Sequence, residues 1–115
     1  IDLLIGGSPC QDFSRLNTNK RGIYGSKGQL FYEFLRIKKL FNPTFFIYEN
    51  VLITEKDRNI INEALKIRPH YINSSDFTAQ RRARYYWTNI EFQLPTPSPI
   101  AIKDILTNDK MDSKY

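Results

Sequence analysis

Three features of this 115-residue sequence predict an α/β fold built on a parallel sheet. Runs rich in β-forming residues alternate with amphipathic ones in the order strand, helix, strand, helix, strand, an order that suits parallel strands joined by right-handed crossovers. The first run, Ile1 to Ile5, is apolar apart from Asp2, as expected of a strand covered on both faces. The apolar residues of the two helical stretches recur three and four positions apart, which gives each helix one face to lay on the sheet.

The first strand leads into Gly6-Gly7-Ser8-Pro9-Cys10-Gln11-Asp12-Phe13-Ser14. Two glycines allow a sharp turn, and Pro9 stiffens the residue before the only cysteine. Cys10 thus lies just past the carboxyl end of a strand, where open parallel sheets gather their reacting groups. A free cysteine is often just a small buried hydrophobe, but the polar neighbours of Cys10 and two further motifs favour a nucleophile. Asn17 to Lys27 is polar and rich in Asn, Lys and Gly, the composition of a mobile connection able to act as a lid. Ser26-Lys27-Gly28-Gln29 has the form of a capping box, and Leu30, Phe31, Phe34, Leu35 and Phe41 behind it predict a helix over 28–40. Its aromatic residues are read as core packing against the sheet.

Asn42-Pro43 ends that helix, and Thr44 to Tyr48 predicts a second strand that delivers Glu49-Asn50-Val51 at its carboxyl end. Thr54 is placed to cap a helix over 55–67 with the stripe Ile60, Ile61, Ala64 and Leu65, stopped by Arg68-Pro69. Tyr71 and Ile72 begin a third strand, 77–84 forms a loop, and Tyr85 to Ile90 is an aromatic strand. From Leu94 the chain changes to Leu-Pro-Thr-Pro-Ser-Pro. The expected division is a unit over 1–94 and an extended, linker-like segment over 95–115 with a short helix at 102–106.

Composition narrows the function classes. One cysteine excludes an internal disulfide framework and fits a reducing compartment. One cysteine and one histidine give no metal-ligand cluster, so no metal is expected. No apolar run approaches the roughly 18 residues of a spanning helix, and nothing resembles a signal peptide; an intracellular protein with no membrane partner is expected. The net charge of +5 favours polyanions such as nucleic acid. Most of the basic residues are scattered, as on solvated faces, and Arg81, Arg82 and Arg84 form the one cluster. Since the sequence opens on Ile1 and its only methionine is Met111, it is expected to start inside a longer reading frame.

Pro9-Cys10-Gln11, Glu49-Asn50-Val51 and Gln80-x-Arg82-x-Arg84 occur in this order, each beside a predicted strand. Together they resemble the central motifs of the cytosine-5 DNA methyltransferase family, and the resemblance covers most of the chain. Gly22-Ile23-Tyr24, Gly28 to Phe34 and Arg82 to Trp87 look like the de novo branch of the eukaryotic enzymes, whereas Cys10-Gln11 and Gln80 follow the bacterial form. Ile102 to Leu106 is similar to the segment ahead of the target-recognition region in bacterial members. The resemblance implies part of a Rossmann-like S-adenosylmethionine-dependent methyltransferase fold, a double-stranded DNA partner, and the remainder of a methyltransferase chain beyond these residues.

The chemistry explains why these residue types belong together. C5 of cytosine is a poor nucleophile until another nucleophile adds at C6, and a thiolate suits that task; Cys10 is the candidate. Charge then builds toward N3, where Glu49 would donate a proton or a strong hydrogen bond. To do so at neutral pH it would have to hold a proton, which burial beside the aromatic strand would favour. Asn50 would shape the loop that holds Glu49. Arg82 and Arg84 would fix the base carbonyl, a phosphate and Glu49 by forked hydrogen bonds, with their separate tasks unassigned. The resemblance further implies cofactor contacts from Pro9 and Leu30, and DNA contacts from Ser8, Gln11, Ser14 and Gln80. Extruding the target base would cost a few kcal/mol. The family's glycine-containing cofactor turn has no counterpart among Gly6, Gly7, Gly22, Gly25 and Gly28.

Three alternatives remain. A tRNA cytosine-5 methyltransferase would use the same Cys and Glu. A catalytically silent nucleic-acid-binding remnant would keep the residues without turnover. A Cys-His hydrolase would need His70 near Cys10, but His70 follows Arg68-Pro69 between a helix and a strand, a position better suited to a surface histidine.

Overall fold

In the computed structural model, residues 1–8 and 29–106 are described. Pro9, Cys10, Gln11, Ser14, the connection 17–27 and the expected capping residues Ser26 to Gly28 lie outside the described residues. The elements follow in the order β1 (Leu3–Gly7), α1 (Leu30–Phe41), β2 (Phe45–Asn50), α2 (Glu55–Leu65), β3 (His70–Asn73), a 3-10 turn (Ser74–Asp76), β4 (Ala83–Thr88) and α3 (Ile102–Ile105).

The α/β class stands, with one correction to the sheet. Strand order is β1-β2-β4-β3. β1 and β2 are parallel, in register from Leu3 opposite Phe45 to Gly7 opposite Glu49. β4 runs antiparallel to both of its neighbours, β2 and β3. The reason lies in the connections. The segment between β2 and β3 holds α2 and can cross over, but residues 74–82 are too few for a parallel crossover, which needs a dozen or more. The chain therefore reverses after β3 and slots β4 between β2 and β3.

One face of this sheet is closed by α1 and α2. Phe31 and Phe34 of α1, Phe46 and Tyr48 of β2, Ile61 and Leu65 of α2, and Trp87 of β4 are buried together with Ile53. Alternation along β2 puts Phe46, Tyr48 and Asn50 on that face, and all three are buried. Gly6 lets α1 come close, for a Cβ there would lie 2.6 Å from Cδ2 of Phe34. α2 is tied down by polar contacts as well: Trp87 Nε1 donates to Asn62 Oδ1 at 2.8 Å, and Arg58 Nη1 donates to the Tyr85 hydroxyl at 2.7 Å. The Thr54 hydroxyl caps α2 by accepting the Asp57 amide at 3.2 Å, as its sequence position predicts.

Helix ends differ slightly from expectation. α1 starts at Leu30 with Gln29 at its N-cap, and its C-cap, Asn42, is left-handed with φ 43°. α2 stops at Leu65, ahead of the expected Ile67, because Lys66 turns left-handed at φ 57°.

The opposite face of the sheet is uncovered by the described residues. This corrects the expectation that the first strand is covered on both faces: Leu3 and Ile5 are 44% and 64% exposed, and Phe45 beside them is 45% exposed. Farther across, Ile47, Ile72, Tyr86, Ile90 and Phe92 line a shallow apolar hollow. Residues beyond β4 run without regular structure to α3, pinned where the Ser98 amide donates to the Asp76 carbonyl at 2.7 Å.

Candidate active site

Because β1 and β2 are parallel, both deliver their carboxyl ends to the same edge of the sheet, and the ladder closes with Gly7 beside Glu49. Alternation sends Glu49 to the uncovered face, away from the buried Tyr48 and Asn50 on either side of it. Gly7 is needed here. A Cβ at that position would lie 2.8 Å from the Glu49 carbonyl oxygen and 3.1 Å from its Oε2.

The reversal at β4 brings the arginines to this carboxylate. Tyr86 pairs with Glu49, which places Arg84, two residues earlier on the same face, diagonally across from it. Arg84 Nε lies 3.1 Å from Glu49 Oε1, and Arg82 Nη2 approaches the same oxygen at 3.8 Å. The two differ in setting: the Arg84 side chain is 21% exposed and the Arg82 side chain 52%. Arg84 Nη1 also donates to the Ala83 carbonyl at 2.7 Å, which fixes the guanidinium plane. One oxygen of Glu49 thus carries the charge pairing while Oε2 lies toward Gly7. The carboxylate is about a third exposed, less buried than expected.

Asn50 is 1% exposed, and its Oδ1 accepts the Val51 amide at 2.8 Å, so it shapes the chain as it leaves β2. Its Nδ2 makes a long contact of 3.5 Å to the Tyr48 hydroxyl. That hydroxyl shares a 2.5 Å hydrogen bond with Ser8 Oγ. Burial pushes the Tyr48 phenol up to about 12, partly offset by its hydrogen bonds to Ser8 and Asn50.

Gln80 sits on the exposed turn ahead of β4, held by main-chain contacts: its carbonyl accepts the Ser74 hydroxyl at 2.7 Å, and its amide donates to Thr78 Oγ1 at 3.2 Å. Asn73 Oδ1 accepts both the Ser75 amide and the Arg82 amide, at 3.1 and 3.2 Å, so the base of this turn is pinned beside Arg82. Leu30, the first residue of α1, is 46% exposed.

The structure therefore joins Glu49, Asn50, Arg82 and Arg84, and places Ser8 against Tyr48. Pro9, Cys10, Gln11 and Ser14 are outside the described residues. Sequence reasoning passed over Tyr48, Asn73 and Ser74. Tyr48 was visible only as one more strand aromatic, although its alternation with Phe46 and Asn50 marks it as inward-facing. His70 lies on β3, at the sheet edge opposite β1, with its ring 4.7 Å from that of Phe92. That position keeps it away from the strand that leads to Cys10. Among the described residues no group of three or more His, Cys, Asp or Glu could hold a metal ion, and no helix is long and apolar enough to cross a membrane.

Comparison with known proteins gives a consistent result. The family model for C-5 cytosine-specific DNA methylase matches residues 1–114. The type II methyltransferase M.NgoPII of Neisseria gonorrhoeae is 32% identical over 93% of this chain and 36% of its own length. M.FnuDI, a type II methyltransferase of Fusobacterium nucleatum, is 32% identical over 90% of the chain and 34% of its own length. A protein of E. coli solved as a candidate DNA modification methyltransferase encoded within a prophage superposes with a TM-score of 0.64 at 30% identity, over 90% of this chain and 34% of that one. The chain thus spans about a third of the length of these relatives.

Proposed function

Because this chain belongs to the C-5 cytosine-specific DNA methylase family, we propose that it carries the catalytic groups of a methyltransferase acting on C5 of a cytosine flipped out of double-stranded DNA. The observation that carries this reading is the meeting of Glu49 with Arg84 and Arg82 at the strand-end edge toward which β1 directs the Cys10 segment. Residues 1–94 form the catalytic part, and 95–115 lead toward a target-recognition region. The remainder of a longer methyltransferase would cover the open sheet face.

In this reading the Cys10 thiolate bonds to C6, and the electron pair of the C5–C6 double bond shifts toward C5 and N3. Glu49 in its protonated form would donate a hydrogen bond or its proton to N3 from Oε2, the oxygen that lies toward Gly7. Arg84 orients Glu49 through the other oxygen, and the more exposed Arg82 is available to a phosphate or the base carbonyl. Asn50 holds the turn that sets the carboxylate. Once C5 carries the methyl group, loss of the C5 proton returns its electron pair to the ring and expels the thiolate. Gln80, with Gln11 and Ser14, would face the DNA.

S-adenosylmethionine is the methyl donor in this reading. The described residues do not form a cradle for it: Leu30 offers one half-exposed apolar side chain, and no buried side-chain nitrogen or oxygen among them lacks a partner.

The test is trapping. The full-length protein is incubated with S-adenosylmethionine and duplex DNA containing 5-fluorocytosine, whose C5 substituent cannot leave as a proton. A covalent complex that vanishes in Cys10→Ser supports the reading. Failure on varied DNA with the cofactor bound, and a complex with tRNA instead, would move the substrate to RNA.

A further inference from the structure

The Tyr48 hydroxyl has no packing task. Its ring is already held by Phe31, Phe34 and Trp87, with centroids 5.1, 5.0 and 5.8 Å away, and a phenylalanine would fill the same space. Burying a hydroxyl costs free energy unless it is hydrogen-bonded. Tyr48 is fully buried, and the hydroxyl's partners among the described residues are Ser8 and Asn50. These are notable neighbours. Ser8 follows the last ladder pair, Gly7 with Glu49, and stands two positions before Cys10; Asn50 directly follows Glu49 and controls the Val51 amide.

We propose that Tyr48 is a positioning residue whose buried hydroxyl clamps Ser8, the lead-in to Cys10, to the strand end that carries Glu49. The backbone ladder between β1 and β2 ends at Gly7, so beyond it the side-chain bond from Ser8 to Tyr48 takes over the task of holding the two strand ends together. The ring cannot turn away, since aromatic residues from α1 and β4 confine it. A tyrosine phenol is protonated throughout the neutral range, and burial pushes this one higher still, so the clamp persists there. Ser8 then works toward the protein interior, in place of the DNA contact expected from its sequence.

The proposal rests on the methyltransferase reading, and two measurements separate them. Tyr48→Phe, Ser8→Ala and the double variant are prepared in the full-length protein. In the first measurement, kcat for DNA methylation is expected to fall about tenfold in each single variant, with KM for DNA changed less than twofold, and the double variant is expected to be no worse than either single one. In the second, alkylation of the Cys10 thiol by iodoacetamide, followed on its peptide, is expected to speed up at least threefold in each single variant and no further in the double. Multiplying effects in the double variant would overturn the clamp. So would a rise in KM for DNA at constant kcat in Ser8→Ala alone, the mark of a DNA contact. If the wild type fails to methylate, the functional reading falls, and the alkylation rates still decide the clamp: unchanged rates in all variants sink it.

Discussion

At the scale of single residues, the division of labour between the two arginines follows from geometry. Arg84 is the less exposed and the closer to Glu49, and its other nitrogen is bound to the Ala83 carbonyl. Arg82 is 3.8 Å away and half exposed. Exposed ion pairs contribute little, roughly 0 to 1 kcal/mol, whereas a partly buried guanidinium with fixed geometry does more. Arg84→Lys is therefore expected to lower kcat at least tenfold, because an ammonium cannot reproduce both contacts. Arg82→Lys is expected to act mainly on the KM for DNA; steady-state kinetics on the two variants check the split. Tyr48 supplies a second residue-level prediction. Burial pushes its phenol up to about 12, against 10.0 for an ordinary tyrosine, so the folded state holds this proton more tightly than the unfolded one. The associated stability is complete below pH 10 and is lost as pH rises through 12, on the order of 3 kcal/mol for a shift of this size. Denaturant unfolding between pH 9 and 12 should show this loss in the wild type and a shallower one in Tyr48→Phe.

At the scale of elements, two adjacent glycines of β1 do different work. Gly6 faces α1, where an added methyl would meet the edge of the Phe34 ring; Gly7 faces the other side, where it would meet Glu49 and its carbonyl. Gly6→Ala should loosen the packing of α1, at about 1–3 kcal/mol of overpacking, and leave the Glu49 carboxylate in place. Gly7→Ala should displace that carboxylate and lower kcat well beyond its effect on stability. Comparing thermal unfolding and kcat for the two variants tests the assignment, and equal effects on kcat would refute it. The elements themselves were legible because each carries a local signal. The Thr54 cap, the Asn42-Pro43 break and the stripe of Ile61 and Leu65 mark boundaries through short-range interactions. The direction of β4 is missed when each run is read alone, since a β-rich run reads the same whichever way it is inserted; the length of the connection before it is the signal the sequence does carry. What fixes its direction is the shortness of the 74–82 connection and its side-chain ties at Asn73 and Ser74.

At the scale of the whole molecule, the decisive feature is a sheet that the described residues cover on one face. Leu3, Ile5, Phe45 and Phe92 remain between 42% and 64% exposed on the other. Large apolar side chains exposed on one sheet face mark a surface prone to association. The 115-residue chain made alone is expected to bind a hydrophobic dye, to self-associate in sedimentation experiments, and neither to bind S-adenosylmethionine measurably nor to methylate DNA. Turnover by the isolated chain would overturn that expectation. The sequence by itself determined the α/β class and the helices and strands, because periodicity and caps are local properties of the chain, and its motif order marked Glu49, Asn50, Arg82 and Arg84 as candidates. Only the tertiary structure decided the choice of Arg84 over Arg82 as the close partner of Glu49, the sheet face left open by the described residues and the bond from Ser8 to Tyr48. Those features depend on which strand lies beside which, and spatial neighbourhood between residues forty positions apart leaves no mark in local composition.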